Sequence, residues 1–158
     1  MTEPNSTAAA GAADAELLAA ALRIASLAHD GQRDKAGAAY LAHPLRVAAR
    51  LVDDGPEAVA AGLLHDVLED SGFSASDLAA AGISPRVIDA VEHVTKRAGE
   101  PHLDAVRRAA SHPVARLVKL ADVSDNSDPA RLALLPVDER RRLEAKYAAA
   151  REELARTG

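Results

Sequence analysis

Apolar residues in this chain return every three to four positions in short bursts, and nowhere do they alternate with polar ones over the length of a strand. From near Ala15, Leu17, Leu18, Ala21, Leu22, Ile24, Ala25 and Ala28 keep to one helical stripe. Pro44, Pro56, Pro85 and Pro113 each stand just ahead of another apolar run. Proline fits a first helical turn, because the N–H it lacks would find no partner there. The spacing predicts helices over about 15–28, 44–51, 57–69, 85–94, 102–110, 114–123 and 137–154, with a loop across 31–42. Ser74-Ala75-Ser76-Asp77 predicts a capping box opening one more short helix, with Asp77 in place of the usual glutamate. Asp125 to Pro129 is read as a polar break. The expected class is all-α, a compact bundle of short helices.

Composition refines this. Hydrophobic residues are 48% of the chain, but the aromatic ones are only Tyr40, Phe73 and Tyr147, so the core must be aliphatic and alanine-rich. A length of 158 residues suits one domain, expected at 14–158 after a disordered tail at 1–13 whose small residues offer little surface to offset ordering entropy. A net charge of −5, from 19 basic and 24 acidic residues, argues against a nucleic-acid polymer as partner. With no cysteine, thiolate chemistry and disulfide frameworks drop out. No apolar run approaches the roughly 20 residues of a membrane span, and the N-terminus lacks the basic region of a signal peptide. The expected setting is cytoplasmic, without a membrane.

Against that background four titratable groups crowd the end of an apolar helix, in Leu63-Leu64-His65-Asp66-Val67-Leu68-Glu69-Asp70. Charges carried into a core must pair or bind a metal, since unpaired burial is costly. An imidazole beside carboxylates suits a divalent ion such as Mn²⁺, Fe²⁺ or Zn²⁺; a solvated helix end with a capping histidine is the plainer alternative. His43 stands just before a proline-opened helix, held by stiff backbone, as either a ligand or a hydrogen-bonded structural histidine. Asp122 closes Leu117-Val118-Lys119-Leu120-Ala121-Asp122 and falls in that helix's apolar stripe, at an end where the macrodipole disfavours an anion. His29, His93, His102 and His112 are read as structural or surface residues.

Taken in order, His43, His65-Asp66 and Asp122 resemble the H…HD…D signature of the HD superfamily of metal-dependent phosphohydrolases. The likeness is closer to one branch, the hydrolase domain of Rel/SpoT-type guanosine tetraphosphate enzymes and their small single-domain relatives. Ala28-His29-Asp30-Gly31-Gln32, Tyr40-Leu41-Ala42-His43-Pro44, Leu63 to Asp70, Val94-Thr95-Lys96, and Val118 to Asp122 with Asn126 are similar to that branch's motifs, across about 16–150. The resemblance implies an HD-domain helical bundle in which His43, His65, Asp66 and Asp122 hold one divalent ion, Mn²⁺ in this branch. It implies Glu69 and Asp70 as the catalytic acids that orient or deprotonate the attacking water. Lys35 and Asn126 become substrate contacts, and the partner is a small-molecule nucleotide that loses its 3′-pyrophosphate. Three features depart from the pattern: Asp34 where the branch often has a guanine-packing arginine, Val123 where it often has arginine, and the absence of an aromatic expected near His102-Leu103. These departures keep a phosphohydrolase of another phosphorylated small molecule open as an alternative. A non-catalytic metal-binding regulatory protein is the third, disfavoured by the complete Glu69-Asp70 pair.

Overall fold

The computed structural model describes residues 6–156, and among them the chain is helical, with a lone antiparallel bridge between Arg33 and Ala39. In order come α1 (Ser6–Ala28), α2 (Ala42–Ala49), a 3-10 turn (Val52–Asp54), α3 (Pro56–Leu64), α4 (Val67–Asp70), α5 (Ala75–Ala80), α6 (Pro85–Val94), α7 (His102–Ala110), α8 (Pro113–Asn126), α9 (Pro129–Leu132) and α10 (Val137–Arg156). The all-α reading holds. No helix among these residues is long and apolar enough to cross a membrane.

Three boundaries differ from the sequence reading, each for a local reason. Helix α1 begins at Ser6 rather than near Ala15, because the alanine-rich run before Ala15 has the highest helix propensity even where its side chains stay exposed. Residues 1–5 of the expected tail lie outside the described residues. The helix expected over 57–69 is two helices, parted at His65 and Asp66. The break expected at 125–129 is occupied by the end of α8 and by α9, whose N-cap Asp128 accepts the N–H of Ala130 at 2.8 Å. The Ser74 box forms as expected, Ser74 N–H to Asp77 at 2.8 Å and Asp77 N–H to the Ser74 hydroxyl at 3.2 Å.

Helix α3 is the hub. Ala58, Ala60, Ala61, Gly62, Leu63 and Leu64 are all buried, as an apolar helix surrounded by neighbours requires, and α1, α2, α6 and α8 pack around it. The core is aliphatic, with Ile24, Val47, Leu51, Leu64, Val67, Val87, Val91 and Val118 in one cluster. Gly62 lets α2 come close: a Cβ there would lie 2.8 Å from Leu51 Cδ1 and 3.2 Å from the Ala48 Cα. Gly62→Ala gains about 1 kcal/mol of helix propensity but incurs about 1–3 kcal/mol of overpacking against backbone that cannot give way. The expected result is net destabilisation in urea unfolding with an unchanged m-value; a stabilised Gly62→Ala protein would show that α2 and α3 separate easily.

Candidate metal centre

The start of α2, the end of α3 and the last turns of α8 meet at one point. At the end of α3 the backbone keeps a helical sense through His65 (φ −58°, ψ −30°) but flattens at Asp66 (φ −102°, ψ −3°), which interrupts the ladder. There His65 Nδ1 donates to the carbonyl of Gly62, one turn back, at 2.7 Å, so its Nε2 faces away from the helix with a free lone pair. On α2, His43 Nδ1 donates to Asp125 at 2.7 Å, and its Nε2 is likewise left as an acceptor. Both histidines and Asp122 are buried.

These two Nε2 atoms lie 3.2 Å apart, lone pair toward lone pair. Asp66 Oδ2 is 3.0 Å from the His65 nitrogen and 3.6 Å from that of His43. Asp122 Oδ1 is 3.2 Å and 3.7 Å from the His43 and His65 nitrogens. A first-row divalent ion at about 2.0–2.2 Å from each donor would set neighbouring donors roughly 3.0–3.5 Å apart. His43, His65 and Asp66 thus offer three donors at nearly the spacing an ion imposes, with Asp122 Oδ1 beside both nitrogens, and two carboxylates with two neutral imidazoles carry the charge that a divalent cation balances. A single proton could serve only one pair of them. The residues present fit a metal.

The electrostatics say the same. Burial disfavours a charged His65, but Asp66 and Asp122 overcome it and raise the imidazole to about 9. His43 is raised too, burial being outweighed by Asp122 and Asp125. Burial pushes Asp122 upward, yet Lys119 and the two histidines hold it well below the usual carboxylate range. The site draws positive charge strongly. Around it, Tyr40 donates its hydroxyl to Asp66 at 2.6 Å, Lys119 reaches the other Asp122 oxygen at 2.8 Å, and Asn126 Nδ2 donates to Asp122 Oδ1 at 2.6 Å. Asp125 is almost wholly inaccessible and also accepts from Arg46 Nε at 2.8 Å and from Arg131, so it holds the His43 ring from behind.

Two cavities open on the centre. The larger, about 630 Å³, is lined by Asp34, Tyr40, His43, Arg131, Leu135 and Tyr147 among others, and has a mainly apolar wall. The smaller, about 120 Å³, contains His65, Asp66, Glu69 and Asp122 with Lys96, Lys119 and Lys146. Asn126 and Tyr147 border both. Lys96 is carried by a loop that Arg108 clamps: its guanidinium donates to the carbonyls of Glu92, His93 and Thr95 and to Glu100. Of the residues singled out from sequence, the four ligand candidates converge and Glu69 joins the smaller cavity. Asp70 stands on the outer side within 3.5 Å of the Tyr40 hydroxyl, and Lys35 sits at the rim of the larger cavity, paired with Glu139. Asp34 turns into its own loop, one oxygen accepting the N–H groups of Ala36 and Ala38 at 2.9 Å and the other 3.4 Å from Arg131.

Sequence reasoning missed Asp125, Arg46, Arg131, Lys119 and Lys146. For Lys119 the i,i+3 spacing to Asp122 was a usable signal. A second histidine group, Asp89, His93 and His112, also gathers between α6 and α8. There His112 Nδ1 accepts the Ala115 N–H at 3.2 Å, so its Nε2 keeps the proton that points to Asp89, and His93 Nδ1 donates to the Asp89 carbonyl at 2.8 Å. That corner is held by hydrogen bonds of the two rings to backbone and to Asp89.

A family model described as "HD domain" matches residues 21–140. The chain is 34% identical over 122 residues to guanosine-3′,5′-bis(diphosphate) 3′-pyrophosphohydrolase of Aquifex aeolicus, covering 71% of this chain and 17% of that protein. It is 46% identical over 70 residues to a probable enzyme of the same name from Synechocystis, covering 43% of this chain and 9% of that one. The chain thus spans less than a fifth of the length of these relatives. In fold it is similar to a solved metazoan ortholog of SpoT, described as hydrolysing ppGpp, with TM-score 0.75 at 24% identity over 98% of this chain and 88% of the other.

Proposed function

Because the chain belongs to the HD-domain family, we propose that it is a metal-dependent phosphohydrolase that releases pyrophosphate from a nucleotide, with the 3′-pyrophosphate of guanosine tetraphosphate as the leading substrate. The observation that carries this is the convergence of His43, His65 and Asp66 with Asp122 beside both imidazoles, a lysine-lined cavity on one side and a larger, partly apolar cavity on the other. His43, His65, Asp66 and Asp122 are the residues that would hold the ion. Two imidazoles with two carboxylates suit Mn²⁺, and Fe²⁺ or Zn²⁺ fall within the same donor preference. When bound, such an ion lowers the pKa of a water and offsets charge developing on the phosphoryl group.

The chain's own residues do the rest. Lys96, Lys119 and Lys146 place cations where phosphoryl oxygens gain charge, and they sit in a small cavity where such charges are screened less than in open water. Glu69 faces the same cavity, and burial together with Asp66 and Asp70 raises its carboxyl above the ordinary range, which suits a proton acceptor there. Asp70, also raised, is the second acid, screened behind Tyr40. Asn126, bordering both cavities and bonded to Asp122, ties the ligand carboxylate to the nucleoside side, where Leu135, Tyr147 and the rim residue Lys35 receive the base and sugar. A cytoplasmic setting goes with this reading, since nucleotides are its substrates.

A second reading rests on Asp34. Its carboxylate is folded into the loop at 34–38 and offers no cation to the larger cavity, which favours a phosphorylated substrate with another base. Pyrophosphate and phosphate release from a panel of nucleotides, with Mn²⁺ and with chelator, separates the two. Metal-dependent pyrophosphate release from guanosine tetraphosphate is the expected result. Turnover of another nucleotide alone would transfer the assignment to the second reading, and no metal-dependent release from any of them would overturn both.

A further inference from the structure

Nearly every buried polar atom in a folded protein finds a partner, and an exception asks for a reason. Among the described residues three buried side-chain nitrogens have none: His29 Nε2, His102 Nε2 and Arg116 Nε. Of these residues only His102 borders the cavity that holds the ligand cluster. It is the first residue of α7, set down by Pro101 at the end of the loop that Arg108 clamps. Lys146 of α10, Lys119 of α8 and Lys96 of that same loop face it, with Asp122 of α8 and Glu69 of α4 as the anions on the cavity wall. Lys119 is engaged with Asp122, while Lys96 and Lys146 form no ion pair among the described residues. A neutral imidazole with an idle nitrogen, set among cations around a small space, lacks one thing, an anion with several acceptor oxygens.

We propose that His102 contacts the substrate directly, its Nε2 hydrogen-bonding an oxygen of the phosphoryl group that enters between Lys96 and Lys146. This rests on the phosphohydrolase reading above and adds a residue to it. A phosphate oxygen gives the orphaned nitrogen its partner and the two lysines their counter-charge in one step. Binding would also change the imidazole's protonation. Burial and the three lysines press His102 down to about 4, so at neutral pH it is uncharged. A polyanion among those lysines cancels their field and lets the imidazole take up a proton, which strengthens its bond to the anion.

The test uses the protein loaded with diamagnetic Zn²⁺, labelled with ¹⁵N-histidine and titrated with inorganic pyrophosphate, beside steady-state turnover of the nucleotide panel. In the free protein the His102 signals should stay those of neutral imidazole at pH 6. Pyrophosphate should shift Nε2 and move the titration toward or above the ordinary 6.5. His102→Leu should weaken pyrophosphate binding at least tenfold and raise KM more than it lowers kcat, and His102→Gln, which keeps a donor at that reach, should recover part of both. Matching helical circular dichroism of the variants keeps misfolding apart from lost contact. Pyrophosphate binding that leaves the His102 signals unmoved, or is as tight in His102→Leu, overturns the proposal while panel turnover leaves the phosphohydrolase reading standing. Absence of both pyrophosphate binding and turnover overturns the two together.

Discussion

Asp66→Ala is expected to abolish metal-dependent turnover, by about a thousandfold or more, and to remove the stabilisation that a divalent ion confers. Asp66 Oδ2 is the donor nearest the His65 nitrogen, at 3.0 Å, and the carboxylate contributes half of the anionic charge facing the centre, Asp122 supplying the other half. Several kcal/mol of charge stabilisation pass through the ion in such hydrolases, and each ~1.4 kcal/mol is tenfold in rate. An ion that binds only the folded state adds about 2.7 kcal/mol at a hundred times its Kd, so thermal unfolding gives a reading independent of catalysis. Mn²⁺ should raise the Tm of the natural protein and leave that of Asp66→Ala nearly unchanged. The fold itself should persist, because the Asp66 side chain is bonded to Tyr40 and His65 at the core's edge and leaves the aliphatic cluster around α3 untouched. An Asp66→Ala protein still stabilised by Mn²⁺ to the natural extent would place the ion elsewhere.

Much of this centre was legible in the sequence because its residues violate the pattern around them. His65 and Asp66 interrupt an apolar helix, and Asp122 lies in an apolar stripe at the wrong end of a dipole; both oddities mark groups that need a partner inside. The helical period was equally plain, since proline at first turns and the Ser74 box leave local signals that the packing did not override. What escaped was whatever depends on where a helix ends by tertiary choice. Read as a polar break, the stretch after Val123 hides that α8 continues to Asn126, and only that extra turn brings Asp125 beneath His43. The His65 turn escaped for the converse reason: propensity favours an unbroken helix, and the bond from the His65 ring to the Gly62 carbonyl is what holds the side chain out of register. Lys146 and His102 meet across the smaller cavity from helices far apart in the chain, a juxtaposition that no spacing encodes.

Asp125 is therefore where a substitution outside the expected ligand set should have its largest effect. Its carboxylate, 1% exposed, accepts from His43 Nδ1 at 2.7 Å, Arg46 Nε at 2.8 Å and Arg131, and these partners hold it far below the usual carboxylate range against the upward push of burial. Asp125→Ala strands two guanidiniums and one imidazole N–H. Removing one side of a buried ion pair costs roughly 3–5 kcal/mol, and the lower end applies here because the Arg46 and Arg131 side chains are 40% and 28% exposed and can recover water. Asp125→Asn separates the two roles. Its amide oxygen can still accept from His43, so the ring stays in place and much of the stability returns, but the negative charge that makes Nε2 a stronger donor is gone. Metal affinity should then fall about 10–100-fold, the usual consequence of losing a carboxylate behind a ligating histidine. Calorimetric Mn²⁺ titration alongside urea unfolding distinguishes the outcomes. An Asn variant with native affinity would mean that Asp125 merely props the bundle and that the centre binds its ion without the carboxylate's help.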